Sequence, residues 1–300
     1  GISDATNTNM NARCAEYTAE LYDLYLALMH SRIPVEFLSE QDVAYGSLDH
    51  LKVIYVCEPN VPIEAQKRLA AWVKNGGVLV TTSRAASADR YNEPANVLDP
   101  VRGVVEAPRE RLIMRSLAAA KEGGNVEGKF TVYGPRGKLE VNGAEVFATF
   151  EDGSPAVTVN SHGEGKAVHY AFLPGISYRR SASGGRGRFL SGFSEAGRQL
   201  ITLPVERAVV EKPVYADRPR VDTPVLASEK RLAITLLNWN NEPVRPLNLR
   251  IRTDRSVEGV SSVLRGAIKY EQGEDGMIRV SLPLETVDVL MVRYRAESRR

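Results

Sequence analysis

The chain has 300 residues, of which 43% are hydrophobic and 25% are charged, and its formal net charge at pH 7 is +2. This composition is typical of a globular protein with a sizeable core, long enough for one large domain or two medium ones. A nearly neutral charge gives no indication of a nucleic-acid or membrane partner, and no apolar run reaches the roughly 18 residues of a transmembrane helix. The only cysteines, Cys14 and Cys57, exclude a disulfide framework and lack zinc-site spacing.

The first 82 residues alternate between helical and strand patterns. Apolar side chains recur every three or four residues between Cys14 and Leu28, which predicts a helix that Pro34 ends. A second helix is predicted over 63–74, before Asn75-Gly76-Gly77. Three short apolar runs predict strands at 35–38, 51–56 and 78–82. Strands that are apolar at every position and alternate with helices favour a parallel sheet covered by helices.

A change of pattern follows a third predicted helix at about 109–121. Short strands separated by glycine, proline and asparagine turns are predicted at 129–134, 138–143, 145–151, 155–160 and 166–173. The residues SHGEGK (161–166) predict a hairpin turn between the last two strands. A helix from Glu195 to about Leu203 closes this region, with Ser194 as its N-cap.

The last third of the chain has a different organisation. Residues 206–224 carry three prolines among charged residues, which predicts an extended linker. Beyond it, six short alternating patterns separated by turns predict an antiparallel β-sandwich of about 85 residues. The sequence therefore predicts two domains, an α/β domain at 1–205 and a β-sandwich domain at 206–300.

Three stretches carry a resemblance to a known family. The segment from AELYDLYLALMH to LKVIYV (19–56) and the segment VPIEAQKRLAAWVKNGGVLVTTS (61–83) resemble the amidotransferase-like domain of family 42 β-galactosidases, often called the trimerisation domain. AVTVNSHGEGKAVHYAFLPGISY (156–178) is similar to the closing hairpin of that domain. The β-sandwich that often ends glycoside hydrolases is similar to the stretches ITLLNWNNEPVRPLNLRI (234–251), VEGVSSVLRG (257–266) and VSLPLETVDVLMVRY (280–294). The resemblance implies a class I glutamine-amidotransferase-like (flavodoxin-like) parallel sheet with helices on both faces, followed by an antiparallel β-sandwich.

Cys57 and the adjacent Glu58 are the catalytic candidates: Cys57 as a nucleophile, and Glu58 as a carboxylate after a predicted strand that could perform acid/base chemistry. In class I amidotransferases the nucleophilic cysteine lies on a sharp, glycine-flanked turn between a strand and a helix, and a histidine and an acid follow later. Here the context is VCEPN, without glycine, and a carboxylate beside the thiol disfavours the thiolate. The alternative interpretation is a small apolar residue that ends a buried strand.

Polar residues that follow the predicted strands are candidates for ligand binding, because ligands of open α/β sheets bind outside the carboxyl ends of the strands. These candidates are Glu40, Asn60, Arg84 and Arg90. Arg179 and Arg180, beside the loop SASGGRGR, are candidates for holding a carboxylate, a phosphate or a sugar acid. Solvated loops, helix caps and a surface loop are the alternative interpretations. We expect no metal and no cofactor.

The function expected from the resemblance is that of a non-catalytic accessory or assembly region of a glycoside-hydrolase-like protein. Its partners would be an upstream catalytic barrel, which this chain is too short to contain, or other protomers. Two alternatives stay open: an autonomous hydrolase that uses the strand-end residues, and a carbohydrate-binding module that acts through residues 179–188. Localisation is undetermined, because any targeting signal would lie upstream of Gly1.

Overall fold

The structure, a computed structural model, describes residues 14–107, 116–120, 128–184 and 190–295. The chain divides into two compact units. Unit 1 comprises residues 1–27, 36–183 and 192–210, and unit 2 comprises residues 28–35, 184–191 and 211–300.

Helices and strands alternate in the first half of unit 1, and strands dominate its second half. Its helices are α1 (Cys14–His30, whose last turn belongs to unit 2), α2 (Glu40–Tyr45), α3 (Ile63–Lys74), α4 (Asp99–Arg102), α5 (Pro174–Ser181) and α6 (Glu195–Arg207). Its strands are β1 (Val53–Val56), β2 (Val78–Thr81), β3 (Val104–Glu106), β4 (Ser116–Ala120), β5 (Lys129–Val132), β6 (Leu139–Val141), β7 (Glu145–Phe150), β8 (Pro155–His162) and β9 (Gly165–Tyr170).

The main sheet of unit 1 has seven strands in the order β1-β2-β9-β8-β7-β4-β5. Among the described strands of this sheet, β1, β2 and β9 run parallel to one another, and the other pairs are antiparallel. Strands β3 and β6 form a separate antiparallel pair. The sheet is therefore mixed. Strands β8 and β9 are joined by a hairpin turn at Gly163-Glu164, and so short a connection excludes the crossover that a parallel pair requires.

Alternating side chains of the parallel strands enter two cores on opposite faces of the sheet. Ile54, Leu79 and Ala167 pack under α3 in one cluster, which includes Leu69, Trp72 and Val73 of the helix. Val80, Val168 and Tyr170 pack under α6 in the other cluster, which includes Leu200 and Leu203 of that helix. Helices therefore cover both faces of the mixed sheet.

Several elements agree with the sequence predictions. Helix α3 has the predicted bounds, the hairpin at 161–166 is present, and Ser194 Oγ accepts a hydrogen bond of 3.1 Å from Gly197 N at the start of α6. These elements depend on local signals that the sequence contains: a proline before the helix, glycines after it, and a capping hydroxyl.

Two predicted elements in unit 1 differ from the structure. Residues 35–38 form no strand, and Phe37 is 51% exposed, because this run pairs with no neighbour. Part of the helix predicted at 109–121 is strand β4, which pairs with β5 and β7. Ladder pairing overrides the helical propensity of Ser-Leu-Ala-Ala-Ala. The remainder of that prediction falls on residues 109–115 and 121, which lie outside the described residues.

Unit 2 is the predicted antiparallel β-sandwich. Its strands are β10 (Val214–Ala216), β11 (Val221–Asp222), β12 (Val225–Ala227), β13 (Arg231–Asn238), β14 (Val244–Arg252), β15 (Val257–Ser262), β16 (Gly266–Ile268), β17 (Tyr270–Gln272), β18 (Met277–Leu284) and β19 (Val287–Tyr294). One sheet has the order β10-β14-β18-β17, and the other has the order β11-β13-β19-β15-β16 with β12 paired to β13. Apolar side chains of both sheets form one core, as in Ile251 and Ile278 against Ile234 and Leu290.

The segment 206–224 is not an extended linker. Helix α6 continues to Arg207, and β10 and β11 begin at Val214 and Val221, which are 1% and 0% exposed. Pro213 precedes β10, an edge strand, where a missing backbone donor is tolerated.

The domain boundary at residue 205 stays a prediction. The two compact units instead change between residues 210 and 211, and unit 2 also takes in 28–35 and 184–191.

Candidate functional site

Cys57 lies directly after β1 and is 2% exposed. Burial raises the pKa of its thiol well above the usual range, and the charges of Glu58 and Glu20 raise it further. The thiol is therefore protonated near neutral pH, whereas a nucleophilic cysteine needs a thiolate. This environment favours the interpretation of Cys57 as a residue that ends a buried strand.

Asn60 organises the loop that follows β2. It is fully buried, and its Nδ2 donates hydrogen bonds to Asp89 O (3.0 Å) and Asn92 Oδ1 (3.1 Å). In the same region Ala86 N donates to Glu58 O at 2.7 Å. The loop after β2 therefore folds back on the loop after β1, and the Asn60 amide and the Glu58 carbonyl bind protein backbone and side chains at this edge.

The other three strand-end candidates lie at separate places. Arg90 Nη2 is 3.9 Å from Glu64 Oε2 in an exposed ion pair at the start of α3. Glu40 occupies the first turn of α2, whose capping box is made by Ser39 and Asp42. Arg84 has a positive φ of 68°, and its backbone N–H donates to a buried carboxylate.

Arg179 and Arg180 lie in the last turn of α5. Burial raises the pKa of Asp23 on α1 to about 6, and the charges of these two arginines act in the opposite direction. The guanidinium groups of Arg179 and Arg180 therefore already interact electrostatically with a carboxylate of the protein itself, that of Asp23. Of the loop that follows, residues 185–189 lie outside the described part of the chain.

A buried polar cluster, which we call the Glu106 cluster, lies at the carboxyl ends of β2 and β9. It consists of Thr81, Ser83, Glu106 and His169 with the backbone N–H of Arg84. Ser83 Oγ donates to Glu106 Oε1 at 2.5 Å, and Arg84 N donates to Glu106 Oε2 at 2.7 Å. His169 Nε2 is 3.4 Å from Glu106 Oε2, and His169 Nδ1 is 2.8 Å from Thr81 Oγ1.

Burial and hydrogen bonding set the charges in the Glu106 cluster. Burial raises the pKa of Glu106, but the interaction with the His169 ring and the hydrogen bonds from Ser83 and from the Arg84 N–H outweigh burial and lower the pKa overall. Burial lowers the pKa of His169, against the opposing effect of Glu106. We therefore assign a carboxylate and a neutral imidazole, with Nε2–H directed at Glu106 and Nδ1 accepting from the Thr81 hydroxyl.

The Glu106 cluster also holds a strained turn in place. Arg84 and Ala86 have φ values of 68° and 51°, which are costly for residues other than glycine. The Arg84 N–H is fixed by Glu106, and the Ala86 N–H is fixed by the Glu58 carbonyl. The side chains of Ser83 and His169 are fully buried. In this arrangement the cluster joins the end of β3 to the main sheet.

The Glu106 cluster is not evident from the sequence. Its carboxylate comes from the short strand β3, and each contact in the cluster joins residues that are 22 to 88 positions apart in the chain. The one signal in the sequence was a histidine within the apolar strand KAVHYAFL, which periodicity alone places in the core.

A cleft of about 730 Å³ lies at the opposite, amino ends of the three parallel strands. Lys52, Trp72, Lys166 and Arg207 are among its lining residues. The strand-end candidates Glu58, Asn60 and Arg84 are not among them. The cleft and the predicted ligand site are therefore at different ends of the sheet.

Within the described ranges, no group of three or more histidine, cysteine, aspartate or glutamate side chains is arranged to hold a metal ion. Among the helices that the structure describes, none has the length and apolar character to cross a membrane.

By its fold, the protein belongs to the class that combines an α/β unit, built on a mixed sheet, with a following antiparallel β-sandwich. The family model described as the β-galactosidase trimerisation domain matches residues 3–180, and the chain belongs to this family. β-Galactosidase Pbg of Clostridium perfringens is 25% identical over 256 residues, which are 80% of this chain and 34% of that protein. The chain thus spans about a third of the length of this curated relative.

Solved structures share the fold. The β-galactosidase from Bacillus circulans sp. alkalophilus is 18% identical with a TM-score of 0.68, over 92% of this chain and 37% of that one. The α-L-fucosidase isoenzyme 2 from Paenibacillus thiaminolyticus is 12% identical with a TM-score of 0.66, over 93% of this chain and 45% of that one. Similarity at these identities concerns the fold alone, and enzymes with two different names share it.

Proposed function

We propose that this chain is the non-catalytic assembly region of a β-galactosidase-like glycoside hydrolase and that it joins protomers through unit 1. The observation that carries the proposal is the match to the trimerisation-domain model, which covers residues 3–180 and therefore most of unit 1. The remaining length of such a protein would supply a catalytic barrel, the second partner that we propose.

The local chemistry of unit 1 supports a non-catalytic role. Cys57 is buried and protonated, and Asn60 is engaged in loop structure. Glu106 and His169 are buried: Glu106 accepts hydrogen bonds from Ser83 Oγ and Arg84 N, and the His169 ring lies between this carboxylate and the Thr81 hydroxyl. Each of these groups has a structural partner, which supports stabilisation of the sheet edge rather than turnover of a substrate.

We further propose that unit 1 is a modified class I glutamine-amidotransferase-like (flavodoxin-like) sheet. The parallel strands β1 and β2, joined through α3, support this relation. The turn after β2, with its positive φ at Arg84, supports it as well, because an amidotransferase nucleophile lies on a strained turn of this kind. Antiparallel strands occupy the rest of the sheet.

Light scattering after size exclusion, over a wide concentration range, tests the assembly function. We expect an average mass that rises above the 33.0 kDa of the monomer with concentration. A mass that stays at the monomer value up to several milligrams per millilitre would overturn the proposal. An assay with nitrophenyl galactoside on the same samples should show no turnover. Turnover that is lost in Glu58→Gln would favour the autonomous hydrolase instead.

Carbohydrate binding is a second candidate, which one observation favours. Trp239 is 41% exposed on the turn between β13 and β14. This turn is fixed by Asn238, whose Nδ2 donates to Glu242 O (2.9 Å) and Glu285 O (2.6 Å). An exposed indole on a fixed turn is suited to stacking on a sugar ring. Titration with galactose and lactose should then change tryptophan fluorescence, and the change should vanish in Trp239→Ala.

A further inference from the structure

We propose that unit 1 associates through an aromatic surface formed by Tyr22, Tyr25 and Phe37, and that a second copy of this chain covers it. This inference rests on the proposed assembly function and identifies the face that performs it.

The three side chains form a continuous group. Tyr22 and Tyr25 are three residues apart on α1 and therefore lie on one face of the helix. They are 62% and 37% exposed, and Phe37, on the segment before α2, is 51% exposed. The rings of Tyr25 and Phe37 are 5.4 Å apart with an interplanar angle of 49°. This contact joins the helix to the following segment and fixes the orientation of both rings.

Helix α1 is already anchored to unit 1 by its opposite face. Tyr17 and Leu24 are 4% and 3% exposed on this inner face. Glu20 is fully buried and accepts hydrogen bonds of 2.9 Å from Gly175 N and from Ile176 N at the start of α5. The outer aromatic face is therefore not needed to hold the helix on its own protomer, and a helix at a permanent protein surface typically carries charged side chains there.

The size and composition of the aromatic surface fit the centre of an interface. With about 200 Å² for each aromatic side chain, the exposed fractions correspond to roughly 300 Å². A specific interface needs about 800 Å² from each partner, with an aromatic centre and a polar rim. Glu36, the residue before Phe37, is exposed and forms a hydrogen bond with His50, 3.0 Å between Oε1 and Nε2, and these two side chains supply polar groups for such a rim.

A second copy is the occupant that the position of this surface favours. All three residues lie in the range 3–180 that matches the trimerisation-domain model. Tyr91, another highly exposed tyrosine of unit 1 at 76%, lies on the loop after β2 and provides a comparison position away from α1. Because every protomer of an assembly carries the same surface, one substitution changes every copy of the contact.

The test compares Tyr22→Arg with Tyr91→Arg and wild type by light scattering over a concentration series. We expect wild type and Tyr91→Arg to associate alike, and the midpoint for Tyr22→Arg to move at least tenfold higher in concentration. Arginine is a good helix former, so the thermal midpoint of Tyr22→Arg should stay within a few degrees of wild type. If it does not, Phe37→Ser, which lies outside the helix, replaces it.

The possible outcomes distinguish a failure of the proposed aromatic surface from a failure of the proposed assembly function. If wild type associates and Tyr22→Arg and Phe37→Ser associate equally well, the aromatic surface is not the interface, while the assembly function stands. Another segment of a parent protein would then be the candidate to cover this surface. If wild type is monomeric at every concentration, both the assembly function and this inference fail.

Discussion

Among single residues, Glu106 shows how hydrogen bonds stabilise a buried charge in this fold. Its carboxylate receives hydrogen bonds from Ser83 Oγ and Arg84 N, and it faces the imidazole of His169. Removal of any one partner would leave a buried group without its bond, which costs about 1–3 kcal/mol. Ionisation in the Glu106 cluster should therefore be visible in the pH dependence of folding.

We predict that the free energy of unfolding falls as the pH is lowered from 7 to 5. The pKa of His169 is lowered in the folded protein, so below the unfolded value of about 6.5 the unfolded chain binds a proton that the folded chain does not. The pKa of Glu106 is also lowered, which adds a further loss of stability below about pH 4.5. Urea unfolding curves at intervals of one pH unit measure both effects.

The control for this prediction is a second histidine. His169→Gln should reduce the loss of stability between pH 7 and 5, whereas His162→Gln, at the partly exposed end of β8, should retain it. An unchanged pH dependence in His169→Gln would contradict the assigned charges.

We also predict slow alkylation of Cys57. Its pKa is raised by burial, so the rate in the native protein should be far below that in urea and should rise with pH without a plateau below pH 9. The measurement uses Cys14→Ser, in which Cys57 is the one remaining thiol. A rate plateau at pH 6–7 would reveal a thiolate and revive the nucleophile interpretation.

Helices and strands that depend on neighbouring residues could be predicted from the sequence, whereas those that depend on pairing with distant strands could not. Helix α3 could be predicted because its buried face, its preceding Pro62 and its terminal glycines are contiguous in sequence. Strand β4 could not, because its residues favour a helix and only pairing with β5 and β7 makes them a strand. For the same reason the Glu106 cluster, assembled from three distant segments, was not predicted, whereas the predicted strand-end candidates lie at separate places in the structure.

The contact between α1 and α5 is a prediction for this scale. Glu20→Ala removes the acceptor of two buried backbone N–H groups, those of Gly175 and Ile176, and should lower the free energy of unfolding by about 2–4 kcal/mol. Glu64→Ala, in the first turn of α3, removes only an exposed carboxylate and should cost less than about 1 kcal/mol. Equal effects of the two substitutions in urea unfolding would show that the capping contact contributes little.

For the whole molecule, the division into two compact units predicts that unit 2 folds independently of unit 1. Strand β10 pairs with β14, and Val214 is 1% exposed in the core of unit 2. We predict that residues 211–300 fold alone with dispersed amide signals and that 220–300, without β10, melts several degrees lower. Equal melting temperatures, or an undispersed spectrum of 211–300, would contradict the sandwich as an independent unit.

Hydrogen–deuterium exchange of the full chain at low and high concentration tests the central claim, association through unit 1, most directly. We predict concentration-dependent protection within residues 14–27 and 36–50, which carry the aromatic surface, and unchanged exchange across the sandwich from β10 to β19. Protection elsewhere in unit 1 would place the interface on another surface of unit 1, and association through unit 1 would still hold. Protection confined to unit 2, or no concentration dependence at any site, would contradict it.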